Sequence, residues 1–149
     1  MLKTKEGDLL VNVKAPAIIV HGCNAQGKMR SGFADKLRNK YPEAYTVYKK
    51  YFNEVGLKVG DVNIVQTHTG MIIANAVTQE FYGRNPDVVY VNYAAVEKVL
   101  TEAAEFSEQN HIPVHMPFIG GGLANGDRNK LLEIFTRVFA NTDATLWII

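Results

Sequence analysis

Residues 18–34, IIVHGCNAQGKMRSGFA, constrain the fold more than any other part of the chain. They open with the apolar run Ile18, Ile19, Val20, too short for a helix and β-branched enough for a buried strand. From Gly32 onward Phe33, Leu37 and Tyr41 recur at four-residue steps, with Lys36, Arg38 and Lys40 between them, so a helix with one apolar face is expected there. The residues from His21 to Ser31 are mostly small or polar and read as a loop at the carboxyl end of the strand. That edge is where open α/β sheets bind ligands.

The rest of the chain alternates in the same way. Residues 1–6 suit an edge strand, and Gly7-Asp8 turns the chain. Pro42 ends the first helix and starts a second, through about Phe52. Residues 62–67 and 71–77 are strand-like runs joined by His-Thr-Gly, a hairpin with Gly70 in the turn. Residues 80–86 read as surface loop. Val96, Val99, Leu100, Ala103 and Phe106 mark an amphipathic helix from about Asn92 to Gln109. A short strand at 113–116, a helix marked by Leu131, Leu132, Phe135, Val138 and Phe139, and a strand at 145–149 complete the chain. The fold class is therefore α/β, with a mixed central sheet between two helix layers. At 149 residues and 47% hydrophobic, one domain over 1–149 is expected.

Charge and cysteine content exclude several classes of function. With 16 Lys+Arg against 15 Asp+Glu the net charge is +1, so no global field draws the chain to nucleic acid or an anionic membrane. Neither partner is expected. Lys36, Arg38, Lys40, Lys49 and Lys50 read as solvated helix faces, without the aromatic stacking motif of an RNA-binding patch. A single cysteine, Cys23, forms no intrachain disulfide and fits a reducing cytoplasm. The amino-terminal MLKTKEGD lacks a signal peptide's apolar core. No metal or other cofactor is expected, since no compact ligand motif such as HExxH occurs.

Several residues carry two readings. Gly120, Gly121 and Gly122 follow one predicted strand and precede a helix; they form either a plain tight turn or a backbone cradle for phosphate. The second reading gains weight because residues 24–32 make another strand-to-helix loop, and two such loops at one sheet edge grip a diphosphate from both sides. His21 is either a packed histidine or a catalytic group. Cys23 reads as a small buried side chain. Asn24 shapes a turn or recognises sugar hydroxyls. Asp8 is a turn former by default. Asp127 either caps the last helix or, on the second glycine loop, activates a water.

Taken together, Gly7-Asp8-Leu9, HGCNAQG-x-M-x-S-G-x-A followed by YPEAY, then IIANAVTQ and MP-x-IG-x-GLANGD resemble the macro domain family over nearly the whole chain. The likeness is greatest to the branch of ADP-ribose 1''-phosphate phosphatases, their viral relatives and the terminal ADP-ribose glycohydrolase type. The resemblance implies a three-layer α/β/α macro domain. It implies adenine reading by Asp8 with the Leu9 backbone, and distal-ribose binding by Asn24. Ser31, Gly32 and Phe33, with Ile119, Gly120, Gly121, Gly122, Leu123 and Ala124, would form the cradle for the diphosphate and distal ribose. His21 and Asp127 match positions of suspected catalytic role. Three positions depart from the family pattern. Arg30 replaces a usual glycine and is a candidate phosphate contact; Arg128 stands where tryptophan is frequent; Gln79 occupies the place of the glycohydrolase type's lysine nucleophile.

The implied ligand is ADP-ribose or a derivative, including an ADP-ribosylated protein. The leading expectation is a hydrolase acting at the distal ribose, on a 1''-phosphate or an ADP-ribosyl ester, with Asp127 or His21 positioning water. The alternatives are a non-catalytic ADP-ribose reader and a binder of another nucleotide on the same fold.

Overall fold

A computed structural model describes all 149 residues. In chain order they form β1 (Leu2–Glu6), α1 (Leu9–Asn12), β2 (Ile18–Asn24), α2 (Gly32–Lys40), α3 (Pro42–Glu54), β3 (Val62–Gln66), β4 (Ile72–Gln79), α4 (Tyr93–Asn110), β5 (Val114–Met116), α5 (Arg128–Val138) and β6 (Ala144–Ile148). The strands make one six-stranded sheet in the order β1-β6-β5-β2-β4-β3. All neighbours are parallel except β3 and β4, the hairpin expected around Gly70.

Alternation along the strands sorts the core into two layers. Ile18 and Val20 of β2, Ile72, Ala74 and Ala76 of β4, and Val114 and Met116 of β5 face α4 and α5, packing on Val96, Val99, Leu100, Leu131 and Phe135. Ile19, Val65 and Ile73 face the other way, against Leu9, Leu37 and Ala44 of α1, α2 and α3 and Tyr41 at the junction of α2 and α3. Beyond them Cys23 and Val77 pack with Met29 and Tyr48. The layers are therefore helix, mixed sheet and helix. No helix is long and apolar enough to cross a membrane.

Two local expectations need correction. The chain after Gly7-Asp8 makes a one-turn helix, with Asp8 Oδ1 accepting from Leu10 N at 2.9 Å. More consequentially, β2 continues to Asn24, so His21, Gly22 and Cys23 belong to the strand and not to the loop. Parallel pairing with β4 carries the extension, His21 lying beside Asn75, Gly22 beside Ala76 and Cys23 beside Val77. His21 is consequently central in a buried strand, where continued pairing with β4 outweighs the weak strand propensity of Gly22.

Candidate functional site

A cleft of about 660 Å³ opens where β2, β4 and β5 end, within the size range of small-molecule sites. One wall is the first loop with the start of α2, the opposite wall is residues 117–124, and a third comes from the segment after β4, with Gln79, Tyr82, Gly83 and Arg84.

Backbone donors dominate this cleft. The N-cap of α2, Ser31, makes no side-chain capping bond, and the amides of Gly32, Phe33 and Ala34 have no acceptor within the protein. A helix of nine residues thus presents its positive end to the cleft uncapped. Across from it, the amides of Gly120, Gly122, Leu123 and Ala124 are also without protein acceptors. The turn that presents them is closed by Gly126 N donating to Gly120 O at 2.8 Å and Asn125 N to Gly122 O at 3.0 Å. Gly120, at φ +80, adopts the left-handed conformation that favours glycine.

The charge is one-sided. Lys28, Arg30 and Arg84 line the cleft, none of them paired with a carboxylate, and no Asp or Glu is among the lining residues. Such a cleft concentrates anions.

Asn24, Arg30, Ser31, Gly32, Phe33, Ile119, Gly120, Gly122, Leu123, Ala124 and His21 are brought together here. Four other residues named from the sequence lie outside the lining. Asp8 caps α1, and Leu9 is a core residue, 2% exposed. Gly121 N is spent on Phe118 O at 3.2 Å, so its amide is not free for a ligand. Asp127 caps α5, its Oδ1 accepting from Lys130 N at 3.0 Å while its own N donates to the Tyr93 hydroxyl at 2.9 Å. The capping reading is the one the geometry supports.

Asn24 is in the cleft, but its amide chiefly builds the first loop. Its Oδ1 accepts from Gln26 N at 2.9 Å and the Tyr48 hydroxyl at 3.1 Å, and its Nδ2 donates to Lys28 O at 2.9 Å. One Nδ2 hydrogen remains available to a ligand.

His21 is a buried neutral imidazole. Asn75 Nδ2 donates to Ala44 O at 3.0 Å, which turns Asn75 Oδ1 toward His21 Nε2 at 2.6 Å and places the imidazole proton on Nε2. Burial lowers its pKa to about 4 against the opposing Asn75 hydrogen bond. Phe33 lies over it with ring centroids 6.1 Å apart. The ring offers a lone pair on Nδ1 and no acidic proton at neutral pH. Cys23 Sγ is 3.6 Å from Nε2, and burial pushes its thiol far above the usual range, so it is no nucleophile. Gln79, at the place of the glycohydrolase lysine, donates from Nε2 to Phe81 O at 2.7 Å and shapes the third wall.

Sequence reasoning missed Lys28, Thr78, Tyr82 and Arg84. For the last two the adjacent aromatic and cationic residues of FYGR were the available signal. Thr78, 1% exposed, had none: it lines the cleft, yet its Oγ1 has no hydrogen-bond partner. An orphaned buried hydroxyl destabilises by about 1–3 kcal/mol. Thr78→Val is therefore expected to leave stability unchanged or raise it by about 1 kcal/mol, read as the urea midpoint at constant m. A loss of more than about 1 kcal/mol would mean that the hydroxyl is satisfied after all.

Comparison with known proteins agrees with this architecture. No family model matches the sequence. The macrodomain of Mycobacterium tuberculosis DarG superposes with a TM-score of 0.83 at 22% identity, over 100% of this chain and 98% of that one. Thermosipho africanus DarTG in complex with ADP-ribose superposes with a TM-score of 0.80 at 13% identity, and 99% of this chain covers 42% of it. Among curated sequences, an ADP-ribose 1''-phosphate phosphatase of Aspergillus clavatus is 41% identical over 46 residues, a match that spans 31% of this chain and only 23% of that protein. Sheet order, helix layers and these superpositions agree, and the chain has the macrodomain fold.

Proposed function

We propose that the cleft binds ADP-ribose, its diphosphate held between the uncapped start of α2 and the opposite loop. The observation that carries this reading is the facing sets of unbonded amides, Gly32, Phe33 and Ala34 against Gly120, Gly122, Leu123 and Ala124, in a cleft without carboxylates. A diphosphate is the anion that two opposed helix-and-loop amide sets accommodate. Phe33, Phe118, Ile119 and Leu123 supply apolar surface for ribose and base. The ADP-ribose complex of the Thermosipho protein supports the choice of nucleotide.

Hydrolysis at the distal ribose is the second reading, favoured by the short match to the Aspergillus phosphatase. Free amides would stabilise charge developing on a phosphoryl group, and the two walls would fix the substrate. Neither reading requires an acid from Asp127, and a neutral His21 would supply at most an acceptor at Nδ1.

Calorimetry with ADP-ribose and with adenosine tests the first reading. Micromolar affinity, about −8 kcal/mol, is expected for ADP-ribose, at least tenfold tighter than for adenosine. Absence of ADP-ribose binding at millimolar concentration would remove it. Phosphate release from ADP-ribose 1''-phosphate then decides between hydrolase and reader.

A further inference from the structure

We infer that Thr78 is a ligand-binding residue of this cleft, its hydroxyl donating a hydrogen bond from the floor to the diphosphate that the two amide walls hold. The inference rests on the ADP-ribose reading above and adds a third direction of contact, supplied by a side chain where the walls supply backbone.

The unspent hydroxyl is the first observation. Thr78 is 1% exposed and lines the cleft, yet Oγ1 has no hydrogen-bond partner. Buried side-chain polar atoms ordinarily have one, and a threonine hydroxyl needs only a carbonyl or a second side chain within reach. The backbone of the same residue is fully used. Its carbonyl accepts from Asn92 N at 2.8 Å, at the start of α4, so the residue is fixed in place while its donor is left over. A buried polar group without a partner is a cost to the fold that a bound acceptor removes.

Local geometry is the second, and it aims that donor. β2 and β4 keep parallel register from Ile18 beside Ile72 to Cys23 beside Val77, but the next rung pairs Asn24 with Gln79. Thr78 is therefore the extra residue of a bulge, a feature rare between parallel strands and over-represented beside active sites, where it re-aims a side chain. Gly22 lies against it. A Cβ on Gly22 would stand 2.8 Å from Thr78 Oγ1 and 3.1 Å from Ile119 Cγ2. Gly22 is not in the left-handed region, so its backbone does not call for glycine; room for the Thr78 hydroxyl does. Gly22, Thr78 and Ile119 all line the cleft, and Ile119 directly precedes Gly120, whose free amide belongs to the second wall. Ile119 Cγ2, close to the same position, covers the hydroxyl until an entering ligand turns that side chain aside.

Calorimetry on the native protein, Thr78→Val and Thr78→Ser, with ADP-ribose, ADP and adenosine as ligands, tests the assignment. Thr78→Val keeps the shape and loses the donor. It should bind ADP-ribose and ADP about tenfold more weakly than the native protein, and adenosine, which has no phosphate, equally well. Thr78→Ser keeps the donor and should stay within about threefold of the native protein for all three ligands. Urea unfolding of Thr78→Val, expected to show stability unchanged or raised, separates the loss of affinity from a folding defect. Native affinity of Thr78→Val for ADP-ribose, a loss in Thr78→Ser as large as in Thr78→Val, or an equal loss for adenosine overturns the assignment and leaves the ADP-ribose reading standing. A destabilised Thr78→Val overturns it too, because the hydroxyl would then have its partner within the protein. A loss for ADP-ribose without one for ADP overturns the diphosphate as acceptor. Failure of the native protein to bind ADP-ribose at millimolar concentration overturns both readings.

Discussion

Gly126→Ala is expected to destabilise the protein by about 3 kcal/mol, at the upper end for an overpacking substitution. A Cβ at Gly126 would stand 2.6 Å from Gly120 O, 2.7 Å from Leu131 Cδ1 and 2.8 Å from Val91 Cγ1. The first is backbone and the other two are core side chains, Leu131 being 0% and Val91 6% exposed, so none of them moves aside cheaply. The only relief is to open the turn that the Gly126 N to Gly120 O bond closes. Opening it displaces the free amides of Gly120, Gly122, Leu123 and Ala124. The same substitution should therefore weaken ADP-ribose binding at least tenfold at a temperature where the variant is still folded. Gly122→Ala is the control for stability. Nothing lies within 4 Å of a Cβ there and the backbone is not left-handed, so a change within about 0.5 kcal/mol is expected. Urea unfolding and calorimetry check both expectations. A Gly126→Ala variant as stable as Gly122→Ala would show that the turn is not held closed by this packing.

The sheet and its helices were legible because the apolar periods of this chain are long and clearly bounded. Pro42 at the start of α3, Gly70 between β3 and β4, and Asn92 before α4 each mark an element boundary through local backbone chemistry. The end of β2 was not legible. His-Gly-Cys-Asn has the composition of a loop, and only pairing with β4, remote in sequence, keeps it in the sheet. That reading put His21, a residue of a buried strand, in a loop and made it look available for acid–base work.

Site residues divide along the same line. Gly32 and Gly120 adopt the left-handed conformation that favours glycine, so the two strand-to-helix turns left a mark in the sequence. Asp8 and Asp127 could not be resolved, because a helix cap and a ligand contact use the same carboxylate at the same position in sequence. Arg84 is harder still. Its part in the cleft depends on Asn125 holding its loop against the opposite wall, a contact 40 residues apart in the chain.

Burial of His21 has a consequence for the whole molecule that is measurable without any ligand. Its pKa is about 4 in the folded protein and near 6.5 in the unfolded chain. Between those values the unfolded chain binds the extra proton, so stability rises with pH across the window. The contribution is fully present above pH 6.5, declines as pH falls, and is exhausted near pH 4. Its size is on the order of 3–4 kcal/mol, from roughly 2.5 pH units at about 1.4 kcal/mol each. Burial also lowers the pKa of His115, which accepts from Trp147 Nε1 at 2.9 Å, so that residue adds a loss of the same sign. Glu43 acts lower on the scale. The hydrogen bonds it accepts from the His68 side chain and backbone hold its carboxyl at about 2, so its contribution is lost only as pH falls below the ordinary carboxylate range. Urea unfolding at intervals from pH 7 to pH 4 should thus show a steep fall in the native protein and a shallower one in His21→Gln. That variant gives up the bond to Asn75 and is expected to be less stable at pH 7, so the slope decides the matter and not the level. Parallel slopes for the two proteins would mean that His21 is already protonated in the fold, its Nε2–H still donating to Asn75 Oδ1. His21→Gln with His115→Gln should then retain only the part of the acid sensitivity that belongs to the carboxylates.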